Sequence, residues 1–210
     1  MTALADGGLT RRQAGLLFVL VLLLRLAIAA QFRGNYDSDS FRLVADLILD
    51  GKNVYAETDR YNYSPVWAYA VAALWKLVRP DFSRFLLLLG LLQTAADVVS
   101  AVFVARIART LGRPAPDANR AALLFFSNPV SVLASSAHGQ FDGLAIVFLL
   151  WAILIAMGTM EGRRSIAVTA LLSASILVKH VTAFHPLLFW RRVRRPGLPD
   201  AAVAAPYALS

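Results

Sequence analysis

The sequence contains no cysteine. Disulfides, thiolate nucleophiles and cysteine-based zinc or iron–sulfur centres are therefore excluded, and no covalent cross-link staples the fold. Charge is also scarce: charged residues make up 16% of the chain against 58% hydrophobic ones, and the mean hydropathy is +0.60. A chain this poor in polar surface cannot coat a soluble globule, and it reads as an all-α, polytopic membrane protein. Nucleotide-binding loops are missing too, with neither a Walker motif nor a G-x-G-x-x-G stretch. There is no internal repeat and no low-complexity linker, so residues 1–210 read as a single membrane domain. Acids are outnumbered, giving a net charge of +8. The arginines fall in short clusters between apolar runs and form no basic face interleaved with aromatics, which argues against a nucleic-acid partner and for topology signals.

A bilayer-spanning helix needs about 20 apolar residues. Ala14–Ala30 is the first such run, with Arg11 and Arg12 before it placing the N-terminus in the cytoplasm. Ala27-Ile28-Ala29 mimics a signal-peptide cleavage site, but Arg25 interrupts the core and more apolar runs follow, so an uncleaved first helix is expected. The run Val66–Val78 is short. Phe85–Ala105 is a full span ending at Arg106, Arg109, Arg113 and Arg120. These arginines fall on the cytoplasmic side only if Val66–Val78 does not cross, so it is expected to be a juxtamembrane helix of a large outer loop, Gln31 to Arg84. Ala121–Ala137, bent at Pro129, returns to the outer face, and Leu144–Met160 descends to the cytoplasmic Arg163 and Arg164. Ile166–Val178 rises to Lys179, His180, His185 and Pro186. Only about ten residues separate Lys179 from "RRVRR", too few for a crossing, so either a short broken hairpin forms or those arginines lie outside. The tail "LPDAAVAAPYALS" resembles the opening of another apolar helix, and further spans are expected beyond Ser210.

Against this apolar background "SSAHGQFDGLA" (Ser135–Ala145) is conspicuous. Ionisable groups in or near hydrocarbon are costly unless they face a polar cavity, a partner or a ligand. The expected topology brings His138, Gln140 and Asp142, the Lys179–His185 segment and the loop from Gln31 to Arg84 to one outer level. That loop carries "YDSDSF", in which Asp37 and Asp39 could share a divalent cation, Mn²⁺ or Mg²⁺, or serve as base plus electrostatic partner. The bland alternative is a pair of solvated loop acids.

The segment "YDSDSFRLVADLILDGKNVYAETDRYNYSPVWAY" resembles the first lumenal loop of the GPI mannosyltransferase I catalytic subunit and its prokaryotic mannosyltransferase relatives in the GT-C superfamily. The matching features are Asp37-Ser38-Asp39, then Gly51, Tyr55 and Tyr61-Asn62-Tyr63-Ser64-Pro65 ahead of an apolar helix. "HGQFDGL" is similar to the His-x-Gln-[Phe/Tyr]-[Asn/Asp] stretch of dolichol-phosphate-sugar transferases, and Lys179 near Pro186 to a Lys followed shortly by Pro. The chain departs from the pattern in "KHVTAFHP", which is longer than Lys-x-Tyr-Pro, and in the absence of later spans.

The resemblance implies the N-terminal part of a longer multi-pass glycosyltransferase that acts outside the cytoplasm. Such an enzyme moves a hexose, mannose in the family, from a polyprenyl-phosphate-sugar donor to a lipid or glycan acceptor hydroxyl with inversion. On this reading Asp37 or Asp39 is the general base, with Asp37 favoured. Lys179, His180 and His138 face the donor phosphate, and Gln140 and Asp142 hold sugar hydroxyls. Each has a structural rival. His138, Gln140 and Asp142 could cap the following helix. Arg25 is expected to snorkel to the outer interface, with a phosphate contact as the alternative. Asp97 and Gln93 could pair inside the bundle, and Tyr61, Tyr63, Trp67 and Tyr69 form an interfacial aromatic belt that anchors the loop. A transporter or flippase subunit for a lipid-linked or ionic substrate also explains buried polar groups. It accounts less well for the outer acid pair, and no Gly/Pro-broken span occurs in each half. A third reading is an inactive fragment of a transferase.

Overall fold

Helices are the only regular elements among the described residues, 10–158 and 162–184 of the computed structural model. Helix α1 (Arg11–Gln31) starts where the Thr10 side chain accepts from the Gln13 amide at 3.2 Å and the Gln13 side chain accepts from the Thr10 amide at 2.9 Å, a reciprocal cap. Helix α5 (Phe82–Thr110) is capped in turn by Asp81. These two are long and apolar enough to cross a membrane. Leu16, Leu20, Leu23 and Leu24 are exposed along α1, leaving an uncovered apolar face.

The α1–α5 pair is antiparallel. Ala29 lies against Gly90, where an added Cβ would sit 2.7 Å from the Ala29 Cβ, so only glycine permits this approach. Two turns further along α5, Arg25 meets Asp97 at 2.6 Å. Arg25 is wholly buried, and this overturns the expectation that it snorkels. The cause lies in the run Ala121–Ala137, which is not one bent helix. Helix α6 (Ala115–Phe126) stops, a single turn α7 (Pro129–Ser131) follows, and a wide π-helical turn covers Val132–Ala137.

The break begins just before Pro129, which has no N–H to give. The Val130 amide, which would continue the α-helix by bonding to Phe126, donates to the Asn128 side chain instead. The freed Phe126 carbonyl is taken by Arg25, through Nε at 3.1 Å and Nη2 at 2.7 Å, and Nη2 also reaches Ser131 Oγ at 2.9 Å. The guanidinium thus replaces the hydrogen bond that the Asn128 side chain diverts from the Phe126 carbonyl. It also lies over the Phe126 ring at 4.6 Å.

The segment between α1 and α5 folds into α2 (Tyr36–Leu49), a short α3 (Val54–Glu57) and α4 (Pro65–Val78). At 14 residues α4 is about 21 Å long, less than the ~30 Å of a hydrocarbon core. It buries Trp67, Ala68, Val71, Ala72 and Trp75 against the rest of the protein. Trp75 Nε1 donates to Asp46 of α2 at 2.6 Å. Trp67 and Tyr61 are therefore core residues rather than members of an aromatic belt, whereas Tyr69 is exposed as a belt residue would be. Helices α8 (Asp142–Ala156) and α9 (Arg163–Val178) pair as a hairpin through Leu149, Ala152, Ala156, Val168 and Leu172. Ser175 Oγ pins them by donating to the Ala145 carbonyl at 2.7 Å. Helix α8 is shorter than the expected Leu144–Met160 span. Met160, His185, Pro186, "RRVRR" and the apolar tail lie outside the described residues.

Candidate functional site

At the end of the α1–α5 pair that carries Gln31 and Phe82, five of the singled-out side chains meet. Asn35 begins the construction. Its side chain accepts from the Ser38 amide at 2.9 Å while Ser38 Oγ accepts from the Asn35 amide at 2.7 Å, which fixes the start of α2. The same Asn35 donates through Nδ2 to the His138 carbonyl at 3.0 Å. One residue therefore caps α2 and ties it to a turn more than a hundred residues away, setting Asp37, in the first turn of α2, beside that turn.

The turn itself leaves the π-helical segment through a wide loop closed by the Gln140 amide on the Ala134 carbonyl at 2.9 Å. Gly139 has φ +71°, the left-handed backbone that lets His138 and Gln140 point the same way, and it lies against the Phe32 ring. Phe141 anchors the far side. It is fully buried, stacks on Trp67 with centroids 4.3 Å apart, and meets Phe41 and Tyr63 edge-on.

Gln140 is the hub. Its Nε2 donates to Asp37 Oδ2 and lies 3.2 Å from His138 Nδ1, while its Oε1 accepts from Lys179 Nζ at 3.3 Å. The amide therefore bridges an anion and a cation with its dipole aligned to both. Lys179, 14% exposed in its side chain, pairs with Asp142 Oδ2 at 2.8 Å and sits over the rings of Phe141 and Tyr63 at 4.9 and 5.6 Å. His138, 54% exposed, reaches Asp37 Oδ2 at 3.7 Å. Asp37 keeps its second oxygen, Oδ1, without a hydrogen bond among the described residues.

Two candidates stand apart. Asp39 is exposed and makes no ion pair among the described residues. The acid pair lies on a helix, where residues two apart point about 200° away from each other, so Asp37 and Asp39 do not fit a shared divalent cation. No group of three or more His, Asp or Glu side chains among the described residues is arranged to hold a metal. His180 is exposed and lies across Tyr63 from the cluster, its ring stacked on the tyrosine at 6.3 Å.

Tyr63 and His180 also line a cavity of about 480 Å³ with Tyr55, Asn62, Ser64 and Leu177, a size typical of small-ligand sites. Ser64 Oγ closes one side by donating to the Leu177 carbonyl. Burial raises the Tyr63 phenol above its usual range, and the charges of Asp37 and Asp142 push the same way, so it presents a protonated O–H at neutral pH. Tyr63 and Asn35 are site residues that the sequence reading did not assign. Asn35 carries a legible signal, the Asn-x-x-Ser cap. Tyr63 does not, since Tyr61, two residues away in the same motif, is buried as structure. Comparison of the chain with protein-family models, with curated proteins and with solved structures finds no match.

Proposed function

We propose that the protein is a polytopic membrane glycosyltransferase that moves a hexose from a polyprenyl-phosphate donor to an acceptor hydroxyl on the outer face. The observation that carries this reading is the convergence of Asp37, His138, Gln140, Asp142 and Lys179 from three distant segments onto one end of the spanning pair. The arginines at the opposite end of α5 give that end to the cytoplasm.

In the proposed step the acceptor oxygen attacks the anomeric carbon as the bond to the donor phosphate breaks, with inversion, and the acceptor proton passes to Asp37 Oδ1. Gln140 holds the other oxygen of Asp37 and so fixes the direction of the free one. Lys179 faces the departing phosphate, with Asp142 and Gln140 orienting its ammonium. His138 hydrogen-bonds within the same cluster, and the cavity beside Tyr63 accommodates a sugar. The donor set supplies no place for a metal in this scheme, and no step uses one.

The reading is tested by incubating membranes that contain the protein with a radiolabelled polyprenyl-phosphate-hexose and extracted lipid acceptors. Label is expected to reach the acceptor fraction. Lys179→Ala is expected to lower the rate at limiting donor far more than at limiting acceptor, because the lost cation acts on the leaving group. Equal loss with both substrates assigns Lys179 a packing role. Topology has its own check, aided by the absence of cysteine. A single Cys at exposed Asp39 is expected to react with a membrane-impermeant maleimide in intact cells, and one at exposed Ala115 only after permeabilisation. Ser40 and Ser136 are buried and make poor probes.

One observation favours the transport reading. Gln93, Thr94, Ser100 and Ser136 are buried with side-chain polar atoms that lack hydrogen-bond partners among the described residues, along or against α5. Such a seam could line a path for a polar substrate. The two readings separate on whether Asp37 acts as a base.

A further inference from the structure

The end of α5 opposite the candidate site holds a second built feature. A groove of about 370 Å³ runs between α1, α5 and α6, walled by Phe18, Ala101, Val102, Ala105 and Ala122. Arg106 and Arg109 stand at it together, three residues apart and so on one helix face, with Asn119 across from them. Arg109 Nη2 donates to Asn119 Oδ1 at 3.0 Å, which fixes that guanidinium at the mouth. Neither arginine has a carboxylate partner among the described residues, although Asp117 lies nearby in sequence on the first turn of α6.

The register of the α1–α5 pair sets the depth. Ala29 against Gly90 and Arg25 against Asp97 place Phe18 near the level of Arg106, so the cationic mouth lies toward the Arg12 end of α1 and the apolar walls run inward from it. Small side chains at Ala101, Ala105 and Ala122 leave a channel rather than an interdigitated seam. Two guanidiniums without a carboxylate partner among the described residues, above an apolar channel, complement an anionic headgroup with an acyl chain beneath it, and uncharged or purely polar ligands leave one half of the groove unmatched.

We infer that this groove is a binding site for an anionic phospholipid of the cytoplasmic leaflet, with the phosphate held by Arg106 and Arg109 and one acyl chain lying along Ala101, Ala105 and Phe18. The inference rests on the membrane reading but not on the transfer chemistry, since the groove and the candidate site occupy opposite ends of the spanning pair.

The test is native mass spectrometry of the full chain in mild detergent, titrated with phosphatidylglycerol or with phosphatidylcholine of the same acyl chains. Phosphatidylglycerol is expected to be retained on the order of tenfold more tightly. Arg106→Gln with Arg109→Gln is expected to lose about 25-fold in affinity for it, on the order of fivefold for each charge near the membrane surface. Ala105→Trp keeps both charges and fills the channel, and it is expected to lose the lipid as well. Arg113→Gln, exposed and outside the groove, is expected to leave retention unchanged. Equal retention of the two lipids overturns the inference, as does an Arg113→Gln loss as large as that of the double variant. Displacement by inorganic phosphate as readily as by lipid, or undiminished binding to Ala105→Trp, removes the acyl chain from the site and overturns it too. A chain that stays dispersed without detergent overturns the membrane reading beneath it, a result distinct from loss of transfer.

Discussion

Asp37→Asn is expected to insert and accumulate like the parent yet lose about 100-fold or more in hexose transfer, the usual scale of general-base catalysis. Asparagine keeps the shape of the side chain and cannot take a proton at neutral pH, which separates basicity from packing. The structure sharpens the expectation because Gln140 donates to Asp37 through Nε2. In the variant the amide oxygen can still accept that bond, so the contact between α2 and Gln140 survives while the base is gone. Asp39→Asn is the internal control. Its carboxylate is exposed and points away from the cluster, and the variant is expected to keep the parental rate. Equal loss in both variants points to the solvated negative charge of the loop rather than to a positioned base. Full activity in both sinks the transferase mechanism and leaves the transport reading in its place.

Arg25→Met is expected to reduce the stability of the whole protein by about 3–5 kcal/mol, the cost of stripping one partner from a buried ion pair. Asp97 would be left as an uncompensated charge in the middle of α5, and the Phe126 carbonyl would lose both of its guanidinium bonds. The readout is the temperature at which the monodisperse peak disappears in size-exclusion chromatography of detergent extracts. Arg25→Met combined with Asp97→Leu is expected to recover most of the loss, since no unpaired charge remains. Recovery stays incomplete, because the Phe126 carbonyl is still orphaned at a cost of about 1–3 kcal/mol. Arg25→Lys is expected to fall between them: an ammonium can pair with Asp97 but lacks the planar fork that serves Asp97, Phe126 and Ser131 together. Parental stability of Arg25→Met refutes the network as a structural tie.

Some of this protein was legible from its residues alone. Hydropathy and run length marked α1 and α5 as membrane-spanning candidates, because a spanning helix must carry its apolar signal within one continuous segment. Pro129 marked a bend in the run Ala121–Ala137, but not that the helix stops at Phe126 and resumes as a π-helical turn. The cost of placing polar and ionisable groups among apolar runs singled out His138, Gln140 and Asp142, three of the five clustered side chains, while Lys179 and Asp37 came from the expected topology and the resemblance. The sequence placed Asp39 beside Asp37 because a loop of unknown conformation treats residues two apart as neighbours, whereas helix α2 sends them to different faces.

Composition and local periodicity sufficed for the helical class, for two helices long and apolar enough to cross a membrane, and for the inventory of polar groups. Only the tertiary structure decided which of those groups meet. Arg25 is buried because the Phe126 carbonyl, freed where Asn128 captures the Val130 amide some hundred residues away in the chain, stands opposite Asp97 on a helix brought close by Gly90. Asp37 faces Gln140 because Asn35 bonds the His138 carbonyl across a similar distance. Both are long-range pairings fixed by helix register, and register is set by close packing between elements, which no single segment encodes.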